Sequence, residues 1–226
     1  MVVVSGDEQL EQKKYKRGLI RQENERIILT AAAEEFVLNG FRGTSMNAIS
    51  ERSGLPKANL HYYFSSKLGL YGAVLREVLE LWDATFNELT ADDDPAQSLS
   101  RYVRGKVMFS RDNPLASRLF AIELISGGEH LSEYFGEDYR LWFAGRAQVF
   151  KAWIDAGKMD AVDPNHLIFM IWASTQHYAD FSSQVTHALG VENGLDDEEF
   201  ERAADTLCHI ILKGCGISSG VIGQSE

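Results

Sequence analysis

A short stretch of the chain, residues 45–64, predicts two brief helices joined by a tight turn. Ser45 can cap the first helix, which we expect to end near Ser53. Gly54 can adopt the left-handed backbone that a sharp turn requires. Pro56 then suits the first turn of a second helix, where its missing N–H costs nothing. Because a helix upstream would brace such a pair, the pattern indicates a helix-turn-helix.

The rest of the sequence also has the apolar spacing of helices, and no stretch has the alternation of a strand. We expect a first helix from about Gln22 to Asn39 and a fourth helix that Ser65 or Ser66 caps. The second half predicts helices from about residue 96 to 113, 115 to 125, 131 to 156, 165 to 189 and 196 to 213, with Asp163 and Asp196 as caps. The expected fold class is therefore all-α.

The charge of the chain is unevenly distributed. The net charge is −11, yet residues 1–71 hold 10 Lys and Arg against 8 Asp and Glu. The remaining residues hold 12 Lys and Arg against 25 Asp and Glu. Affinity for nucleic-acid phosphate depends on local charge, so this basic front is compatible with DNA binding despite the acidic total.

In a helix-turn-helix the second helix enters the major groove of DNA. The segment 57–64 suits that role, because Leu60 and Phe64 point inward while its other members are polar, aromatic or small. The candidate contacts are Lys57 with phosphate or guanine, Asn59 and His61 with base edges, Tyr62 and Tyr63 with phosphate oxygens, and Lys67, whose charge adds to the positive end of the fourth helix. Two short helices around a glycine would fit a helical hairpin of no such function equally well.

The longer string AAAEEFVLNGFRGTSMNAISERSGLPKANLHYYFSSKLGLYGAVL is more specific. It resembles the DNA-binding domain of the TetR family of regulators over residues 25–75. The resemblance implies base-facing roles for Asn47, Lys57, Asn59 and His61, and phosphate contacts for Thr44, Ser45, Tyr62, Tyr63 and Lys67. Pro56 departs from the family, which usually has a small capping residue there. We therefore expect a flexible basic arm (1–20), a helix-turn-helix DNA-binding domain (21–71) and an effector-binding and dimerisation domain (72–226).

Two strings in the second half, SRDNPLASRLFAIELISGG and DPNHLIFMIWASTQHYADFSSQV, are similar to regulators of pyrimidine utilisation, the Rut type. That resemblance implies uracil or thymine as the effector. Trp172, Thr175 and Gln176 share one helix face, and Trp82 lies on the fourth helix. Aromatic walls and an amide that both donates and accepts would suit a flat pyrimidine. Judged by spacing alone, the same tryptophans would fit a plain core.

The helix expected at 165–189 is apolar nearly all round, so it must be buried on more than one side. One side can face a ligand, and the other can form a four-helix interface with the final helix and a second copy of the chain. A two-fold homodimer is the form that reads a palindromic operator in double-stranded DNA, with half-sites about 34 Å apart or a multiple of that. The sequence thus predicts a ligand-responsive transcriptional regulator, expected to be a repressor of pyrimidine catabolism genes.

Several other classes of protein are disfavoured. No stretch approaches the roughly 20 apolar residues of a membrane span, and residues 1–10 lack the apolar core of a signal peptide. With only two cysteines and no disulfide framework, we expect a cytoplasmic protein. We find no catalytic residues, no metal-ligand cluster and no cofactor motif. The alternatives are a TetR-type regulator of another operon that senses a different flat or hydrophobic molecule and, more remotely, an all-α enzyme.

Overall fold

The structure, a computed structural model, describes the backbone of residues 6–132, 134–192 and 194–217. Side chains are described from residue 18 onward, except those of residues 77 and 80–85. The described residues form ten α-helices and one 3-10 helix and contain no strand, which confirms the all-α class. The chain divides into two compact units, with the boundary between Arg76 and Glu77.

The first unit contains α1 (Gly6–Gly43), α2 (Met46–Ser53), α3 (Lys57–Tyr63) and the start of α4 (Lys67–Asn87). Helix α1 begins at Gly6 rather than near Gln22, so the segment expected as an arm is helical from Gly6 on, and residues 1–5 lie outside the described residues. Gly40 interrupts α1 with a φ of 67°, a left-handed conformation that kinks the helix near its end.

A small apolar core holds the first unit together. Phe36 of α1 is fully buried, and its ring meets that of Tyr71 edge to face, with centroids 4.7 Å apart. Each of the two short helices contributes one fully buried side chain, Ile49 from α2 and Leu60 from α3. Since a short helix is marginal alone, this burial is what fixes α2 and α3 in place.

Polar side-chain caps define where several helices begin. The hydroxyl oxygens of Ser45 and Ser66 accept hydrogen bonds from the backbone N–H groups three residues later, at 3.1 and 3.0 Å. The carboxylates of Asp163 and Asp196 do the same at the starts of the eighth and tenth helices. The capping predictions are thus confirmed, with Ser66 rather than Ser65 at the fourth helix.

The second unit contains the end of α4 followed by six α-helices. They are α5 (Pro95–Asp112), α6 (Pro114–Ile125), α7 (Glu137–Asp155), α8 (Pro164–Asp180), α9 (Ser182–Leu189) and α10 (Asp197–Gly214), with a 3-10 helix at Glu129–Leu131. Helix α8 packs against α5, α6, α7 and α10, which confirms that it is buried on several sides. Fully buried side chains such as Phe150 and Trp153 form the main core beside it.

Two long helices expected from the sequence differ from the observed ones. A 3-10 helix (Glu129–Leu131) ends where the helix expected at 131–156 would begin, and α7 starts only at Glu137. Gly136 has an extended backbone, so α7 cannot continue toward the N-terminus beyond Glu137. The segment 165–189 breaks at Phe181, whose φ of −114° and ψ of 30° are not helical. Apolar spacing continues across both breaks, which is why periodicity missed them.

We expect both cysteines to be unreactive in the native protein. Cys208 and Cys215 are buried free thiols, and burial raises the pKa of both, that of Cys215 to about 11. For Cys215 at pH 8, this raised pKa leaves about a hundredfold less thiolate than a free cysteine has, and burial lowers the thiolate fraction of Cys208 as well. Iodoacetamide at pH 8 should therefore label neither cysteine in the time that fully labels the protein in guanidinium. Labelling of the native protein at the rate of a free cysteine would contradict this.

Candidate DNA-binding and effector sites

The helix-turn-helix predicted at 45–64 is present in the first unit. Helix α2 ends at Gly54, which has φ 68° and ψ 8°, and α3 begins after Pro56. The Pro56 side chain makes no cap, so the backbone N–H groups of Asn59 and Leu60 instead reach the Pro56 carbonyl, at 2.8 and 3.4 Å. The hydroxyl of Ser50 donates to the Leu55 carbonyl at 2.7 Å, which stiffens the turn between the helices.

Helix α3 presents most of the predicted base and phosphate contacts at its surface. Lys57, His61 and Tyr62 are exposed, Tyr62 to 73%. Asn59 and Tyr63 are half-buried, and the Asn24 amide donates to the Tyr63 hydroxyl at 3.4 Å. Helix α3 is thus anchored by the buried Leu60 and exposes polar side-chain ends on its other face. A helix that contacts bases in the major groove requires this arrangement.

The three residues predicted near the start of α2 differ in accessibility. Ser45 and Asn47 are exposed, although the Ser45 hydroxyl oxygen is already the helix cap. Thr44 is only 3% exposed, and its hydroxyl lies 2.9 Å from the carbonyl oxygens of both Glu35 and Gly40. A phosphate contact through the Thr44 side chain would require it to leave both carbonyls, so the structure gives Thr44 a role in fixing the kink of α1.

Lys67 also lies differently from the expectation of a free cation at the start of α4. Its ammonium donates to the carbonyl oxygens of Phe41 and Thr44, at 2.7 and 2.9 Å. It also lies 4.5 Å from the centre of the Phe41 ring. These contacts join α4 to the segment that leads into α2, a clamp that the sequence pattern does not reveal.

A second connection joins α2 to α1. The guanidinium of Arg52 donates to the carboxylates of Glu34 and Glu35, at 2.9 and 2.6 Å. Glu35 is 7% exposed and also accepts from the Asn39 amide at 2.9 Å. Because the carboxylate is buried, its partners matter more than those of a surface pair. The Arg52 contact and the Lys67 clamp thus hold α2 from both sides.

The second unit contains an aromatic pocket of about 460 Å³, including its mouth. Its lining residues are Leu79, Phe86, Tyr102, Lys106, Phe120, Tyr134, Phe135, Tyr139, Trp142, Trp172 and Gln176. Most of these are aromatic, and the polar atoms come from the phenol hydroxyls, the indoles, one amide and one amine. A concave, aromatic site with a few polar groups is the usual form of a small-molecule site.

Two of the four predicted ligand residues lie in this pocket, namely Trp172 and Gln176. Thr175 does not, because it is fully buried on a neighbouring side of α8 and its hydroxyl donates to the Ile171 carbonyl at 2.8 Å. Trp82 is part of α4, but its side chain lies outside the described residues. Residues three and four apart lie on opposite flanks of position 172, and only the Gln176 flank borders the cavity.

Sequence reasoning missed several pocket residues, above all Tyr102 and Lys106 of α5. The Trp172 indole N–H donates to the Tyr102 hydroxyl at 2.7 Å, and the Tyr102 ring stacks on Phe86 at 4.7 Å. Lys106 is only 4% exposed. Its position on the apolar face of α5, between Val103 and Val107, was a signal that could have identified it, since lysine is seldom buried.

A polar contact lies on α8 beyond Gln176, outside the residues that line the pocket. Asp180 lies one turn further along α8 and accepts a hydrogen bond from the Ser117 hydroxyl at 2.6 Å. Burial raises the pKa of Asp180, while the Ser117 hydrogen bond and the charge of Lys106 act in the opposite direction. The charge of Lys106 therefore favours the ionised form of Asp180.

One wall of the pocket comes from the turn that divides the expected long helix. Tyr134 and Phe135 follow the 3-10 helix and line the cavity. That 3-10 helix is tied to α6, because the buried Glu123 carboxylate accepts from the His130 backbone N–H at 2.8 Å and contacts its ring at 3.1 Å. The break in the helix thus supplies aromatic side chains that a continuous helix would place elsewhere.

No group of three or more His, Cys, Asp or Glu that could hold a metal is found among the described residues. Within the same part of the chain, no helix is both long and apolar enough to cross a membrane.

Comparison with protein families covers most of the chain. A model described as bacterial regulatory proteins of the TetR family matches residues 28–74. A second model, described as the C-terminal region of YcdC-like proteins, matches residues 75–218. The two matches meet within two residues of the boundary between the structural units.

Individual relatives agree with the family models. The HTH-type transcriptional regulator RutR of Escherichia coli strain K12 is 40% identical over 200 residues, which cover 88% of this chain and 93% of RutR. The HTH-type transcriptional activator FasR of Mycolicibacterium smegmatis is 36% identical over 107 residues, which cover 46% of this chain and 49% of FasR.

Solved structures show the same fold. A regulatory protein of the TetR family from Rhodococcus RHA1 superposes with a TM-score of 0.68 at 18% identity, over 87% of this chain and 98% of that one. The TetR-family regulator PfmR from Thermus thermophilus gives 0.65 at 18% identity, over 82% and 97%. The relatives and neighbours named here are described as regulators, and an all-α enzyme finds no support among them. The chain belongs to the TetR family of bacterial transcriptional regulators.

Proposed function

We propose that this TetR-type regulator is a repressor of pyrimidine catabolism genes and that uracil or thymine is its effector. The observation that carries the proposal is the aromatic pocket of the second unit, in which Gln176 faces a cavity bounded by aromatic rings. A flat ring can stack on these walls, and an amide can both donate to and accept from the alternating edge of a pyrimidine-dione. The 40% identity to a protein named RutR supports the same effector class.

The operator contacts in this proposal lie on α2 and α3. Lys57, Asn59 and His61 read or flank bases in the major groove, together with Asn47. Ser45, Tyr62 and Tyr63 contact phosphates. Thr44 and Lys67 act mainly by holding the start of α2, because their polar atoms already bind backbone carbonyls.

The regulator in this proposal is a cytoplasmic homodimer on a palindromic operator. Helices α8 and α10, with α9, form the interface between copies, and a second copy places a second α3 on the matching half-site. The residues 1–20 contribute basic contacts beside the domain 21–71, and residues 72–226 bind the effector and the partner.

In this proposal the effector releases the repressor from its operator, and linkage describes the effect. A ligand that binds the DNA-free form more tightly than the DNA-bound form lowers operator affinity by the same factor. An effector that favours the free form by about 1–3 kcal/mol reduces binding about 5- to 150-fold, which suffices for a switch. The proposal assigns Trp82 of α4 a part in this coupling.

Isothermal titration of the purified protein with uracil and with thymine tests the effector, with adenine as the control. We expect one site per chain for each pyrimidine and no heat with adenine. Addition of uracil should then release the protein from DNA upstream of pyrimidine-degradation genes in a gel-shift experiment. Absence of heat with both pyrimidines would refute the effector and leave the TetR-type regulator unchanged.

A further inference from the structure

Lys106 is a buried amine in a pocket that is otherwise mostly aromatic. It is 4% exposed and lines the cavity from α5, while Gln176 lines it from α8. Burying a lysine is costly unless its charge is matched, so a lysine at this position calls for an explanation. The nearby carboxyl of Asp180 provides part of the match, because the charge of Lys106 acts on it.

The amide of Gln176 and the amine of Lys106 differ in the ligand atoms to which they can hydrogen-bond. A glutamine amide offers both N–H donors and a carbonyl acceptor, so it adapts to either kind of ligand atom. A lysine ammonium has three N–H donors and no acceptor. Three donors allow Lys106 to keep contacts within the protein and still donate to a ligand. A ligand atom that accepts a hydrogen bond from this ammonium must therefore carry a lone pair.

We propose that Lys106 makes the pocket selective for an oxo group on the effector, by donating to a carbonyl oxygen and excluding an amino group at the same place. The inference rests on the proposed function and specifies its effector further. In a dry aromatic site, an amino group facing the ammonium would leave donors on both sides unpaired. The ring carbonyls of uracil and thymine are good acceptors. In 2,4-diaminopyrimidine, a ring of similar size and shape, amino groups replace both carbonyls and the two ring nitrogens carry lone pairs instead of hydrogens.

The test is titration of uracil and of 2,4-diaminopyrimidine, at a pH where both are neutral, into the wild-type protein and three variants of position 106. Lys106→Met removes the donor, and we expect uracil affinity to fall roughly 10- to 100-fold, as for loss of a charge-assisted hydrogen bond. Lys106→Gln adds an acceptor, so the preference for uracil over diaminopyrimidine should narrow at least about tenfold. Lys106→Arg keeps a donor-only cation and should preserve that preference even if both affinities fall.

The preference between the two ligands separates recognition from mere packing, since a structural role would lower both affinities together. Lys158→Gln is the matched control, because Lys158 is an exposed lysine of the same unit that does not line the pocket. If the wild type binds uracil and the preference is the same in Lys106→Gln, this inference is overturned and the pyrimidine effector stands. A wild type that binds no pyrimidine overturns the proposed effector and this inference with it.

Discussion

Leucine in place of Gln176 is expected to raise the Kd for uracil about 100-fold while leaving operator binding in the absence of ligand intact. Gln176 is half-buried on α8 and faces the aromatic pocket. Leucine has a similar volume but no polar atom, so the pocket keeps its walls and the polar edge of the pyrimidine loses its partner. Two buried hydrogen bonds left unmade at about 1–3 kcal/mol each account for a change of this size.

Titration calorimetry measures the first expectation, and gel shifts with and without uracil measure the second. Gln148→Leu is the control, because Gln148 lies exposed on α7 and outside the pocket. The variant at 176 should remain on the operator at uracil concentrations that release both the wild type and the control. An unchanged Kd for uracil in Gln176→Leu would show that Gln176 does not bind the pyrimidine. The phenol hydroxyls of the pocket would then be the candidate hydrogen-bond partners.

The helices and their caps could be predicted because their signals are local. The cap at Ser45 and the turn at Gly54 depend on neighbours within a few residues, and the structure has both where the sequence places them. Leu60 could likewise be assigned inward from spacing alone, and it is fully buried. Such features need no knowledge of distant parts of the chain.

The pocket could be predicted only in part because it is assembled from distant segments. Trp172 and Gln176 were identified, but Tyr102 and Lys106 come from another helix that no spacing within α8 reveals. Thr175 is spaced one helical turn from Trp172, but it lies on a side of α8 that does not border the cavity. Helix α8 is packed on several sides, and each side meets a different neighbouring helix. Periodicity defines the sides of a helix, and the tertiary packing decides which one borders a cavity.

Lys67 illustrates the same limit for the DNA-binding surface. A lysine at the start of a helix indicates a phosphate contact when only charge and helix dipole are considered. In the structure its ammonium binds the carbonyl oxygens of Phe41 and Thr44 instead. Those acceptors are more than twenty residues away in sequence, so local reasoning could not have found them.

We expect Lys67→Met to weaken operator binding at least about tenfold without changing its salt dependence. Methionine keeps an apolar stem against the Phe41 ring but loses the two charge-assisted hydrogen bonds, so the start of α2 is released. The melting temperature should fall as well. If Lys67 instead neutralised a phosphate in each subunit of the proposed dimer, the slope of log K against log salt concentration would become shallower by about 1.8, which is about 0.9 for each of the two lost contacts.

We expect Lys57→Met to have the opposite effects on the salt slope and the melting temperature. Lys57 is exposed on α3, and a phosphate contact by Lys57 in both subunits of the proposed dimer would make the loss of this lysine flatten the salt slope by about 1.8 with an unchanged melting temperature. Gel shifts at four or five salt concentrations and a thermal melt separate the two cases. If Lys67→Met gave a shallower salt slope and an unchanged melting temperature, Lys67 would be a phosphate contact. Its hydrogen bonds to the Phe41 and Thr44 carbonyls would then have to break when the protein binds DNA. The expected pair of results would assign the two lysines different roles. Lys57 would contact DNA directly, and Lys67 would position the helices that contact DNA.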